Sequence, residues 1–136
     1  MVANLLGLDI GEKRIGVARA STSARLPQSL ETLNNDDTFL DKLKSTISEY
    51  QIDTLVVGLP RNLNGEETKQ TAYVRDFCNE KLKLLTLPIV MQDETLSTYA
   101  AEERLGSGKK LYKKSEIDSA AAAIILEDYL QGQNNL

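Results

Sequence analysis

Three acidic positions in this sequence have the residue types and settings that hydrolytic chemistry needs. Asp9 interrupts the apolar run Leu5-Leu6-Gly7-Leu8-Asp9-Ile10-Gly11. Aspartate is depleted in strands and seldom buried without a partner. An ionised carboxylate taken out of water is strongly destabilised unless it is paired or binds a metal. Asp93 and Glu94 follow the short apolar segment Pro88-Ile89-Val90-Met91-Gln92. Asp118 opens the alanine-rich stretch Asp118-Ser119-Ala120-Ala121-Ala122-Ala123-Ile124-Ile125. The chain contains no histidine, which excludes Ser-His-Asp and Cys-His catalysis in cis and imidazole zinc sites. Metal chemistry here must use oxygen ligands, which suit magnesium, manganese or calcium.

Each carboxylate also has a purely structural role to weigh. Asp9 beside Gly11 is placed to accept hydrogen bonds from turn amides. Ser115 followed three residues later by Asp118 matches a capping box. The helical face favours a site role for Asp118. Residues three, four and seven further on are Ala121, Ala122 and Ile125, so Asp118 projects from the apolar side, and Glu116 is the solvated acid of that turn. Asp93 and Glu94 could each serve the positive N-terminal end of a following helix. Only one of two adjacent strand-end residues can point at Asp9, and the local pattern leaves both open.

The elements that must position these groups alternate. Residues 4–10 and 14–20 read as two strands joined by a turn at Gly11 to Lys13. A third strand is expected from Gln28 to Leu33, and Asp36 or Asp37 can cap the helix that follows. Phe39, Leu40, Leu43 and Ile47 give that helix one apolar face. Thr54 to Leu59 is a continuous apolar run ended by Pro60, the pattern of a strand covered on both faces. Asn62-Leu63-Asn64-Gly65 is turn chemistry. A long helix is expected from about Glu66 to Leu82 with Ala72, Tyr73 and Phe77 inward, then a strand over residues 88–92. Two helices, about 97–105 and 115–131, are separated by Gly106-Ser107-Gly108 and a lysine cluster. This order indicates a single α/β domain with a mixed sheet and helices on both faces. Ligands of such sheets bind beyond the carboxyl ends of strands, where Asp9, Asp93 and Glu94 all fall.

Composition bounds the rest. The chain has 136 residues, 41% hydrophobic and 26% charged, with a formal net charge of −4. That is the balance of one soluble domain. No apolar run reaches the roughly 18 residues of a membrane span, and the N-terminus lacks a secretory pattern. Cys78 is the only cysteine. A cytoplasmic location fits all of this. Basic residues are clustered: Lys13 and Arg14 beside the first turn, and Lys109, Lys110, Lys113 and Lys114 before the last helix.

Four motifs together resemble the YqgF family of pre-16S rRNA nucleases and Holliday-junction resolvases. They are Leu8-Asp9-Ile10-Gly11-Glu12-Lys13-Arg14-Ile15-Gly16-Val17-Ala18, then Val56-Val57-Gly58-Leu59-Pro60 with Asn62-Leu63-Asn64-Gly65. Asp93-Glu94 with Leu96-Ser97-Thr98 is the third, and Asp118 to Leu126 the fourth. They occur in order and cover nearly the whole chain. The resemblance implies an RNase H-like fold with a five-stranded mixed sheet flanked by helices. It implies an acidic triad of Asp9, Glu94 and Asp118, catalytic and metal-ligating, and so selects Glu94 over Asp93. Two Mg2+ or Mn2+ ions about 3.5–4 Å apart would serve phosphodiester hydrolysis. Asp9 would bridge them, and Glu94 and Asp118 would hold one each. Lys13, Arg14, Lys109, Lys110, Lys113 and Lys114 would seat the nucleic-acid backbone. The family's third motif reads Asp-Glu-Arg. Thr95 stands in the arginine's place here, so that basic contact is absent or supplied by another residue.

Three functions follow from these readings. A metal-dependent endonuclease would process the 5′ end of precursor 16S rRNA in ribosome biogenesis. A Holliday-junction resolvase would cut branched DNA in recombination and repair, and would act as a homodimer rather than a monomer. A non-catalytic nucleic-acid interaction module is the third, and retention of all three acidic positions argues against it.

Overall fold

The computed structural model describes residues 2–95 and 114–134. Five strands form one mixed sheet in the order β3-β2-β1-β4-β5. They are β1 (Asn4–Ile10), β2 (Arg14–Ser21), β3 (Gln28–Asn34), β4 (Thr54–Arg61) and β5 (Ile89–Thr95). β1 and β2 pair antiparallel as a hairpin, with Asp9 opposite Gly16. β4 joins β1 in parallel, with Leu8 beside Val57, and β5 joins β4 in parallel. Asp9 therefore lies on the central strand.

Side-chain alternation divides the strands between two cores. Leu6, Leu8, Ile10, Ile15, Val17, Leu55, Val57 and Leu59 face α1 (Phe39–Glu49) and α2 (Lys69–Glu80). Phe39 and Phe77 meet edge to face there, with centroids 5.6 Å apart. Leu5, Ala18, Ala20 and Val56 face α3 (Lys114–Asn134) on the other side. Among the described residues no helix is long and apolar enough to cross a membrane.

Several boundaries differ from the sequence expectation. β4 continues through Pro60 to Arg61. Pro60 lies beyond the last β1–β4 pair, in a stretch where β4 has β5 on one side only, and a proline is tolerated at such an edge. β5 likewise extends to Thr95, so Asp93 and Glu94 are strand residues. α2 starts at Lys69 because Thr68 and Thr71 form a reciprocal capping box ahead of it, and it ends before a 3-10 turn at Leu82–Leu85. Its inward residues are Thr71, Val74, Phe77 and Cys78, while Ala72 is exposed. Neither Asp36 nor Asp37 caps α1. Asp36 instead accepts from the backbone amide and hydroxyl of Thr38, just outside the helix. α3 begins at Lys114, so Ser115 stands inside its first turn, not ahead of it. The helix expected at 97–105, the Gly106-Ser107-Gly108 segment, and Lys109, Lys110 and Lys113 lie outside the described residues.

Candidate active site

The site is built on the sheet face that carries α3. Asp9, Gly7 and Leu5 share that face of β1 by alternation. Gly16 is Asp9's cross-strand partner on β2. Extending the β1–β4 register by one residue places Gly58 beside Asp9 on the other side. Asp9 is thus flanked by two residues without side chains, which leaves a trough between the strands that α3 roofs, with the carboxylate largely buried in it.

The same three glycines seat α3. A methyl group on Gly16 would overlap the Asp118 carbonyl oxygen, and one on Gly58 would overlap the Ile125 side chain. On Gly7 it would come within 2.6 Å of Leu126 Cγ and 2.9 Å of the Ala122 carbonyl. Glycine at these positions lets helix backbone approach sheet backbone. Small buried residues of the helix, Ala121 and Ala122, complete the close packing. The approach brings Asp118 to the edge of the trough, as the helical-face argument expects.

Asp9 accepts no hydrogen bond among the described residues, so the turn-amide role fails. The turn is closed without it: the Gly11 amide donates to the Arg14 carbonyl at 2.9 Å. Asn35 Nδ2 holds the Gly11 carbonyl at 2.9 Å and the Tyr73 hydroxyl at 2.8 Å. Gln70 Nε2 donates to the Ile10 carbonyl at 3.2 Å. These polar contacts from β3's end and α2 fix the backbone directly after Asp9.

Register decides between Asp93 and Glu94. Glu94 pairs with Pro60 and shares the α3 face, where it is 8% exposed and lies against Gly58. Asp93 faces the other way, largely solvated, with Arg61 Nε 3.1 Å from its Oδ1. Arg61 is also the register partner of Thr95, the position where the family motif has arginine.

Asp9 and Glu94 lack a compensating charge. Burial, reinforced by the charge of Asp118, pushes the Asp9 carboxyl up to about 6. Burial pushes Glu94 up to about 9, with further contributions from a hydrogen bond to Asp128, the Asp128 charge and the Asp9 charge. Glu94 Oε1 is buried and meets no donor among the described residues. Asp9 is the common neighbour, coupled to Asp118 on one side and Glu94 on the other.

The described residues do not form a ready-made metal cage, since no three acidic groups lie together tightly enough to hold an ion. Two of the acids already have near neighbours: Asp118 Oδ2 accepts from Arg14 Nε at 3.0 Å, and Asp128 stands against Glu94. Sequence reasoning missed Asp128. The signal was present: Asp128 lies three residues after Ile125 and seven after Ala121, on the stripe already traced from Asp118. Arg14, expected on nucleic acid, is here partnered with an acid, while Lys13 is exposed at the turn.

A sequence profile described as "RuvX: Holliday junction resolvase" matches residues 3–132. A candidate pre-16S rRNA nuclease from Geobacillus kaustophilus (strain HTA426) is 40% identical over 134 residues, covering 94% of this chain and 97% of that protein. One from Sulfurihydrogenibium sp. (strain YO3AOP1) is 39% identical over 132 residues, covering 95% and 90%. Among solved structures, RuvC of T. thermophilus in complex with a Holliday junction substrate superposes with a TM-score of 0.55. It is 10% identical and covers 96% of both chains, a likeness of RNase H-like fold.

Proposed function

This chain belongs to the RuvX family of nucleases, and from that membership we propose that it is a metal-dependent endonuclease whose active-site acids are Asp9, Glu94 and Asp118. It hydrolyses phosphodiester bonds in structured RNA, at the 5′ end of precursor 16S rRNA during ribosome biogenesis. That substrate places its activity in the cytoplasm.

One observation supports the reading above the others. Asp9 and Glu94 sit on the same face of parallel strands, both short of compensating charge, and Glu94 Oε1 is buried without a donor. A protein that needed these acids only for folding would satisfy them. Divalent-ion ligation is the compensation that oxygen donors of this kind accept, and Mg2+ or Mn2+ fits the donor set. When bound, such ions supply water activation and stabilisation of the leaving oxygen. The chain's own part is to hold the three acids on rigid elements. Asp9 is fixed by the central strand and its braced turn. Glu94 is held by the β4–β5 ladder, and Asp118 by α3 on its glycine seat. Lys13 and Arg14 lie at the rim, where a phosphate backbone must pass. The lysines at 109, 110, 113 and 114 precede α3 in the sequence, and we assign them the same phosphate-binding role.

The test is cleavage by purified protein with Mg2+ or Mn2+ of precursor 16S rRNA and of a four-way DNA junction, followed over time. Site-specific 5′ cutting of the RNA supports the proposal. Paired symmetric cuts in the junction by a homodimer would establish the resolvase reading, which the fold likeness to RuvC keeps in view. Absence of cleavage on both, with Mn2+ bound, would leave a binding module.

A further inference from the structure

We propose that Arg14 is an exchangeable counter-ion: it neutralises Asp118 in the resting protein and leaves it for a backbone phosphate when metal and nucleic acid bind. The inference rests on the metal-nuclease reading and adds to it the order in which charges change partners.

The contact is built to be released. Arg14 engages Asp118 through Nε alone, at 3.0 Å. Its two terminal nitrogens have no hydrogen-bond partner among the described residues. A guanidinium that binds a carboxylate for good uses the paired, fork-to-fork geometry. Its side chain is 35% exposed, and partly exposed pairs of this kind are weakly held. The backbone beneath is rigid: the Arg14 carbonyl accepts from Gly11, and Arg14 pairs with Asn34 on β3. A long, loosely held side chain on a fixed strand can swing without disturbing the sheet.

Nor is the pair needed to dock α3. The helix is anchored by Ala122 and Leu126 over Gly7 and Ile125 over Gly58. Ser29 Oγ donates to the Ser119 carbonyl at 3.2 Å, and the Arg25 guanidinium donates to the Leu130 carbonyl. Arg14's contribution is electrostatic. Asp118 and Asp9 repel, and the guanidinium beside Asp118 relieves that repulsion. A divalent cation on the same carboxylates would do so with more charge. The two cations repel at this range, so one weakens the other. A released guanidinium is the side chain best shaped for a phosphate. By linkage, nucleic acid that captures Arg14 tightens metal binding, and metal tightens nucleic-acid binding equally.

The experiment measures Mn2+ affinity of the full chain by electron paramagnetic resonance without nucleic acid. It compares wild type, Arg14→Gln, Arg14→Met, Arg14→Lys and Asp9→Asn. Fluorescence anisotropy of a labelled RNA hairpin in EDTA, across a salt series, is the second readout. Exchange predicts that both neutral variants bind Mn2+ about tenfold more tightly than wild type, with Arg14→Lys near wild type. The neutral variants should bind the hairpin more weakly, with a salt slope shallower by about one. Unchanged or weaker Mn2+ affinity in folded Arg14→Gln or Arg14→Met overturns the exchange, because Arg14 would then be supporting Asp118 as a ligand. If Asp9→Asn loses Mn2+ in that case, the metal-nuclease reading survives alone. If wild type itself binds no Mn2+, that reading fails and the exchange falls with it.

Discussion

Gly16 and Asp118 are in backbone contact: the glycine Cα lies under the aspartate carbonyl, with no room for a methyl group between them. The residue opposite Asp9 on β2 thus also sets the height of α3 above the sheet. Gly16→Ala should lift the first turns of α3 and move Asp118 off the trough. Overpacking of this kind costs about 1–3 kcal/mol, and the upper end is expected because the obstacle is backbone. Urea unfolding of the variant and its cleavage rate check both consequences. A variant with wild-type stability and activity would show that the contact yields freely.

Asp9→Asn should abolish cleavage while the fold survives. Loss of one element of electrostatic stabilisation commonly costs about 10²–10³ in rate, and a central ligand should cost at least that. The metal-free melting temperature should hold or rise, since the amide removes a charge that repels Asp118 and Glu94. Collapse of the fold together with activity would instead assign Asp9 a structural task.

The metal-free protein should lose stability as pH rises. Asp9 and Glu94 both have folded-state affinities for protons above those of the unfolded chain. The folded state therefore binds more protons, and stability falls with pH through those windows. The Asp9 contribution is full below its ordinary value of 3.8 and disappears by about 6. The Glu94 contribution declines from 4.5 towards about 9. Thermal melts in EDTA across pH 4 to about 9 should slope downward, and Glu94→Gln should flatten the upper half. Asp128→Asn should raise the melting temperature at the alkaline end, because the amide can donate to Glu94 where a carboxylate repels it. Saturating Mg2+ should flatten the wild-type profile too. A profile rising with pH would contradict the placement of these acids.

Asn62→Ala should loosen the loop after β4. Asn62 Oδ1 accepts from the Asn64 amide at 3.0 Å and the Glu66 amide at 2.9 Å. Gly65, at φ +78°, closes the loop by donating to the Asn62 carbonyl. Losing both side-chain bonds should cost about 1–2 kcal/mol. Pro60, two residues earlier, pairs with Glu94, so KM should rise with the loss of stability. Equilibrium unfolding and steady-state cleavage measure the two effects.

Much of this architecture was legible because it is written in periodicity. An aspartate in an apolar strand and a stripe running from Asp118 to Ile125 are local signals: the first placed Asp9 at the carboxyl end of a strand, and the second placed Asp118 on the sheet-facing side of its helix, as the structure has them. Asp93 and Glu94 were not separable locally. Which of them turns inward depends on the register between β5 and β4, a property of two distant segments. Pro60 misled for a related reason: whether proline ends a strand depends on which side has a neighbour. The pairing of Arg14 with Asp118 joins residues 104 apart in sequence, and nothing near either one announces it. Asp128 differs, since its position on the helix was readable and only its partner was not.

α3 comes closest to the sheet at Gly16, under the Asp118 carbonyl, and next at Gly58 and Gly7, under Ile125 and Leu126. Asp118 and Asp128 are ten residues apart, about 15 Å along a helix. The geometry is that of a hinge pinned at one end. Gly16 stops the Asp118 end from coming lower, so a tilt of α3 is felt at the Asp128 end, toward Glu94 or away from it. The two acids of the helix therefore do not share its motion equally.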